Sequence, residues 1–125
     1  MVIKNIIQYL KSENSLYIND LGLIKKVYVE AKVDNNVIFP PHFNLELNES
    51  KAGNGFAFVL FLSKNELLRI VEADMKIKEW LEELKKMIDT QGEAICEGLG
   101  TFFKMNDKLN LKSEIIPELN IEFEG

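Results

Sequence analysis

Ile18-Asn19-Asp20-Leu21-Gly22-Leu23-Ile24 and Cys96-Glu97-Gly98-Leu99-Gly100-Thr101-Phe102 align without gaps at an offset of 78 residues. Each stretch is preceded by an amphipathic helical pattern and a short apolar strand. Each is followed by an aromatic or β-branched strand and a hairpin. A chain leaving one strand must turn sharply before it enters the next. Gly22 and Gly100 supply a left-handed backbone angle there at little steric cost, and Leu21 and Leu99 can anchor the turn against the preceding helix. Leu-Gly turns alone recur by chance, but here the helix–strand order around them recurs too. The expected fold class is α+β, built from two repeats of helix plus strand–Gly turn–strand hairpin.

Outward from the first turn, Ile3, Ile6, Ile7 and Leu10 follow the i, i+3, i+4, i+7 rule and predict a helix over 2–11. Leu16 to Ile18 reads as a strand, and Leu23 to Val33 as a longer one rich in Val, Ile and Tyr. Asp34-Asn35-Asn36 suits a hairpin turn, after which Val37-Ile38-Phe39 returns as a third strand. Pro40 and Pro41 cannot donate to a ladder and end the pairing. Phe43, Leu45 and Leu47 then alternate with polar residues as a further strand.

The polar, Gly-containing stretch Asn48 to Gly55 divides the chain into halves 1–50 and 51–125. Beyond it, Phe56 to Leu62 suggests a short helix. Ser63-Lys64-Asn65-Glu66 has capping-box spacing ahead of a long apolar pattern from Leu67 to Ile88, with a break possible at Asp74 and Gly92 as the stop. Asn106-Asp107 joins the two strands after the second turn. Leu119, Ile121 and Phe123 read as a terminal strand.

The net charge is −5, from 15 basic and 20 acidic residues, and the only arginine is Arg69. Affinity for nucleic acid comes largely from Lys and Arg on phosphates, with Arg the better bidentate donor. Both facts count against a general nucleic-acid binder. A lone cysteine, Cys96, forms no internal disulfide and fits a reducing compartment. The longest apolar run, Phe56 to Leu62, is far shorter than the roughly 20 residues a membrane helix needs. With no secretory pattern at the N-terminus, the expected location is the cytoplasm.

Gly92-Glu93-Ala94-Ile95-Cys96-Glu97-Gly98-Leu99-Gly100-Thr101-Phe102 resembles the HU/IHF family, with Leu99 where an aromatic residue is usual. The whole chain resembles more closely the bacterial tandem HU-like domain pair often found N-terminal to SPOR domains. Phe39-Pro40-Pro41, the alternation from Phe43 to Asn48, and Asn54-Gly55-Phe56 carry that likeness over nearly the full length. It implies an intramolecular pseudo-dimer and hence a monomeric chain. It does not carry over DNA binding. HU and IHF use a long basic arm with a proline wedge between the second and third strands. Here only Asn106-Asp107 stands there in the second repeat, in a region of three Lys and seven acidic residues. The first repeat, too, is expected to lack a long arm.

His42, the only histidine, reads as an ordinary loop or strand residue, and Cys96 as a small buried apolar one. Glu79, Glu82, Glu83 and Asp89, with Lys78, Lys85 and Lys86, read as a solvated helix face in preference to a catalytic carboxylate pair. There is no nucleophile elbow and no phosphate loop. No catalytic residue, metal or cofactor is therefore expected. Phe56, Phe58 and Phe61 are core, or a partner patch if exposed. Lys25, Lys26 and Lys32 would contact an anionic partner if any residues do, although edge-strand lysines also discourage aggregation. The expected function is non-catalytic binding or scaffolding between proteins in a bacterial cell-envelope context. The competing expectation is an HU/IHF-type architectural DNA-binding protein.

Overall fold

The computed structural model describes residues 1–49 and 53–120. Among them, three helices and three small antiparallel sheets form an α+β fold. Helix α1 (Val2–Ser12) buries Val2, Ile6 and Leu10, as its periodicity requires. Strands β1 (Ser15–Ile18) and β2 (Gly22–Val29) follow, then β3 (Lys32–Asp34), β4 (Val37–Phe39) and β5 (His42–Asn48). Helices α2 (Phe56–Asn65) and α3 (Ile70–Gln91) precede β6 (Glu93–Cys96), β7 (Gly100–Met105) and β8 (Lys108–Ser113). A 3-10 turn, Pro117–Leu119, ends the described chain.

The sheets run β1-β2-β5, β3-β4 and β6-β7-β8. The first and last have matching registers. Ser15 faces Lys25 and Ile18 faces Gly22 in one; Glu93 faces Phe103 and Cys96 faces Gly100 in the other. Adding 78 to each residue of the first ladder gives the second. The turn bonds match as well, Leu21 N–H to Ile18 O and Leu99 N–H to Cys96 O. Gly22 and Gly100 have φ of 127° and 151°. A side chain on Gly22 would strike the Asn48 carbonyl, and one on Gly100 the Lys112 carbonyl. Both glycines are thus needed for backbone angle and for close approach of the third strand. Leu21 and Leu99 are buried beside them, and Ile24 and Phe102 fill equivalent core positions.

The offset falls to 64 on the third strand: Lys26 faces Leu45 as Lys104 faces Leu109, and Ile24 faces Leu47 as Phe102 faces Leu111. The first repeat therefore holds 14 more residues between its second and third strands. In the second repeat a tight turn at Asn106-Asp107, both at positive φ, closes the hairpin. In the first, β2 and β5 pair for two further residues and the chain then leaves the sheet as the separate ribbon β3–β4.

Several sequence expectations are corrected here. The strand expected over Leu23 to Val33 stops at Val29, and Val37-Ile38-Phe39 pairs only with β3, so the third strand of the sheet is β5. Local alternation cannot tell a strand in a sheet from one in a detached hairpin. The long helix starts at Ile70, where Glu72 Oε1 accepts from the Arg69 N–H (3.2 Å) and Nε (2.9 Å). Ser63 instead lies at the end of α2 and donates to Leu68 O. Helix α3 passes Asp74 without a break, and Asp74 pairs with Lys78 at 2.9 Å. Gly92 does end it, at φ 84°. Leu119 is in the 3-10 turn and not in a strand, and Ile121 and Phe123 lie outside the described residues.

One apolar cluster includes buried side chains from both halves, among them Ile6, Leu10, Phe58, Leu84, Ile88 and Phe102. At the joint between α1 and α2 sits a buried Asn5. It donates to Met1 O (2.8 Å) and Glu66 Oε1 (2.9 Å) and accepts from Asn65 Nδ2 (2.7 Å). A buried amide is tolerated only when its hydrogen bonds are made, so this network fixes how the two helices meet.

Candidate interaction surface

The lysines singled out from sequence do not converge. Lys25 faces Glu46 and Lys26 faces Leu45 across the ladder. As consecutive strand residues they point to opposite faces of the sheet. Lys26 Nζ lies 5.4 Å from the centre of the Phe43 ring, and Lys32 Nζ lies 5.9 Å from that of Phe39. Both ammonium groups are thus placed over the chain's own aromatic rings.

The phenylalanines do not form one patch either. Phe58 is in the core and is 1% exposed, which removes it from any partner surface. Its ring and that of Phe61 meet Tyr9 edge-on, with centroids 5.9 Å and 5.2 Å away. Only Phe56 is exposed. The helical period of α2 turns these three side chains in different directions.

His42 is half-buried in β5 with Nδ1 3.1 Å from Pro40 O. Cys96 is buried, and burial pushes its thiol up to about 11, so it is a poor nucleophile near neutral pH. Among the described residues no group of His, Cys, Asp and Glu is arranged to hold a metal ion, and no helix is long and apolar enough to cross a membrane. An open cleft of about 830 Å³ lies between the first turn and the end of α3. Lys85 and Lys104 line it beside Asp20, Glu49 and Asp89, so neither sign of charge dominates.

The feature that stands apart is the arm, residues 30–41, with β3–β4 at its centre. The first repeat was expected to lack a long arm; the arm it carries is short, two three-residue strands, and weakly charged. Val33 faces Ile38, while Lys32 faces Phe39 and Asp34 faces Val37. Alternation puts Val33 and Ile38 on one face of the ribbon and the other two pairs on the opposite face. Val33 and Ile38 are 70% and 74% exposed. No charged side chain is paired on their face. The turn at Asn35-Asn36 has φ of 50° and 64°, the two positive angles of a tight hairpin. At the root, Tyr28 meets Phe43 with ring centroids 6.0 Å apart.

A second apolar exposure lies at the α2–α3 corner. Leu67 is at φ 55° and 93% exposed, with Val71 and Met75 also exposed nearby. A C-terminal cap of this kind normally takes glycine. The sequence pointed to the arm's turn at Asp34-Asn35-Asn36, its returning strand Val37-Ile38-Phe39 and the stop at Pro40-Pro41, but not to the ribbon's separation from the sheet or to the α2–α3 corner. Comparison with family models, with curated proteins and with solved structures finds no match.

Proposed function

We propose that this chain is a non-catalytic, HU-like tandem module whose two repeats pair internally as a pseudo-dimer, and that it serves as a scaffold for a protein partner in a bacterial cell-envelope setting, on the cytoplasmic side. The matching ladders support the internal pairing. The observation that carries the binding role is the uncharged ribbon face of Val33 and Ile38, exposed on an arm that belongs to neither larger sheet. An isolated two-stranded hairpin is marginally stable in water. Val33 and Ile38, open side by side on such a ribbon, offer apolar surface that a partner can cover.

The alternative is an architectural DNA-binding protein of the HU/IHF type. The position of the arm, between the second and third strands, favours it. Its charge does not, because residues 30–41 hold Lys32 against Glu30 and Asp34. Electrophoretic mobility of bent, nicked and linear DNA at low salt separates the two readings. The scaffold reading expects no shift; micromolar binding that weakens steeply with salt would overturn it. Affinity capture with the intact chain, beside a Val33→Ser/Ile38→Ser variant, should retain a defined protein on the first and lose it on the second.

A further inference from the structure

The outer edge of β5 is fastened to the second repeat at both ends. Beside the arm, the Phe43 N–H donates to Asn120 Oδ1 at 2.7 Å. At the far end, the Leu109 N–H donates to Glu49 Oε1 at 2.6 Å. Asn120 is only 7% exposed. Its Nδ2 donates to Ile116 O at 2.7 Å and its backbone N–H to Pro117 O at 3.0 Å. The strap that delivers it, residues 114–120, leaves β8 with the Glu114 N–H bonded to Leu99 O. It buries Ile116 and Leu119, and its 3-10 turn packs on α1. The chain thus crosses from the end of the second repeat to the root of the first repeat's arm.

The bond at Phe43 is well placed to control that root. Neither Pro40 nor Pro41 has an N–H to give. Since the Phe43 N–H points outward, that of His42 points toward β2. Phe43 therefore offers the first outward donor beyond the arm, and Asn120 takes it. Beyond Val29 and His42 the ladder of the sheet ends. The angle at which the ribbon leaves is therefore set by contacts at its root, among them this bond, the Tyr28–Phe43 ring pair and the approach of His42 Nδ1 to Pro40 O.

We propose that the strap is a latch and that Asn120 is a positioning residue that holds the arm at one angle to the body. The second repeat then governs how the first repeat presents its arm, and displacement of the strap would release it. The consequence for binding rests on the function proposed above, but the latch itself can be read with no partner present, so the two ideas fail separately.

Amide hydrogen exchange on the intact chain tests it. Asn120→Ala is expected to speed exchange at Phe43 and in β3–β4 by about tenfold or more, as local opening does when a restraint is lost, with α3, β6 and β7 unchanged. Glu49→Ala cuts the other tie and should leave the arm as it is. Unchanged arm exchange in Asn120→Ala would overturn the latch. So would equal acceleration in Glu49→Ala, or parallel acceleration of every amide. If Asn120→Ala does not fold, Ile116→Val loosens the seat of the strap instead. It should speed the same arm amides about threefold, and no change there would also overturn the proposal.

Discussion

The two repeats share a register, a turn and a core, and part company at one point. After Val27 faces Asn44, and Met105 faces Lys108, the second repeat closes through Asn106-Asp107 while the first continues into the arm. What they share is what burial enforces. Ile24 and Phe102 each sit at 0% exposure under the same turn, and Leu45 and Leu109 close the same side of the third strand. What differs lies in solvent, where packing does not constrain the chain and a binding element can be added without disturbing the core.

The largest effect that could break this equivalence is in the core. Phe102→Ala should cost about 3–5 kcal/mol and Ile24→Ala about 2–5 kcal/mol by urea denaturation, since each leaves a cavity among fully buried neighbours. If only one proved costly, the repeats would not be energetic equivalents. Next come the turns. Gly22→Ala and Gly100→Ala should each cost on the order of 3 kcal/mol, from positive-φ strain plus collision with the third-strand carbonyl. Gly98→Ala should cost about 1 kcal/mol, because its φ is also positive but nothing lies near the added methyl.

Smaller effects sharpen the comparison. Asp20, at φ 68°, holds the position that Gly98 holds in the second repeat. Asp20→Gly should therefore be neutral or stabilise by less than about 1 kcal/mol. The two helices of the second half also differ at their ends, with Leu67 in the left-handed position after α2 and Gly92 after α3. Leu67→Gly should raise stability by about 0.5–1 kcal/mol in thermal melts, a gain set against the apolar surface it removes. Val33→Ser with Ile38→Ser should change stability by less than about 0.5 kcal/mol while abolishing partner capture. Thiol labelling offers a last check: Cys96 should react slowly at pH 8 and rapidly once the chain is unfolded, because burial holds its thiol up to about 11 only in the fold.

Much of this was legible in local patterns. The helical period of Ile3, Ile6, Ile7 and Leu10 gives α1, and the apolar pattern up to Ile88 with Gly92 behind it gives most of α3. The interaction surface was less legible. Lys25, Lys26 and Lys32 look like a cluster along the chain, yet alternation separates the first two and aromatic rings engage Lys26 and Lys32. Phe58 looked like its neighbours Phe56 and Phe61 until the fold buried it in the core, left Phe61 partly buried and exposed Phe56.

The sequence by itself determined the repeat. Two Leu-Gly turns, each behind an amphipathic helix, follow from side-chain period and from the backbone freedom of glycine, and both are local properties. Only the tertiary structure decided that residues 30–41 leave the sheet as an arm, and that Asn120 reaches back to Phe43 across the chain. Strand partners and long-range hydrogen bonds depend on which distant segments compete for the same edge. No local spacing records the outcome of that competition.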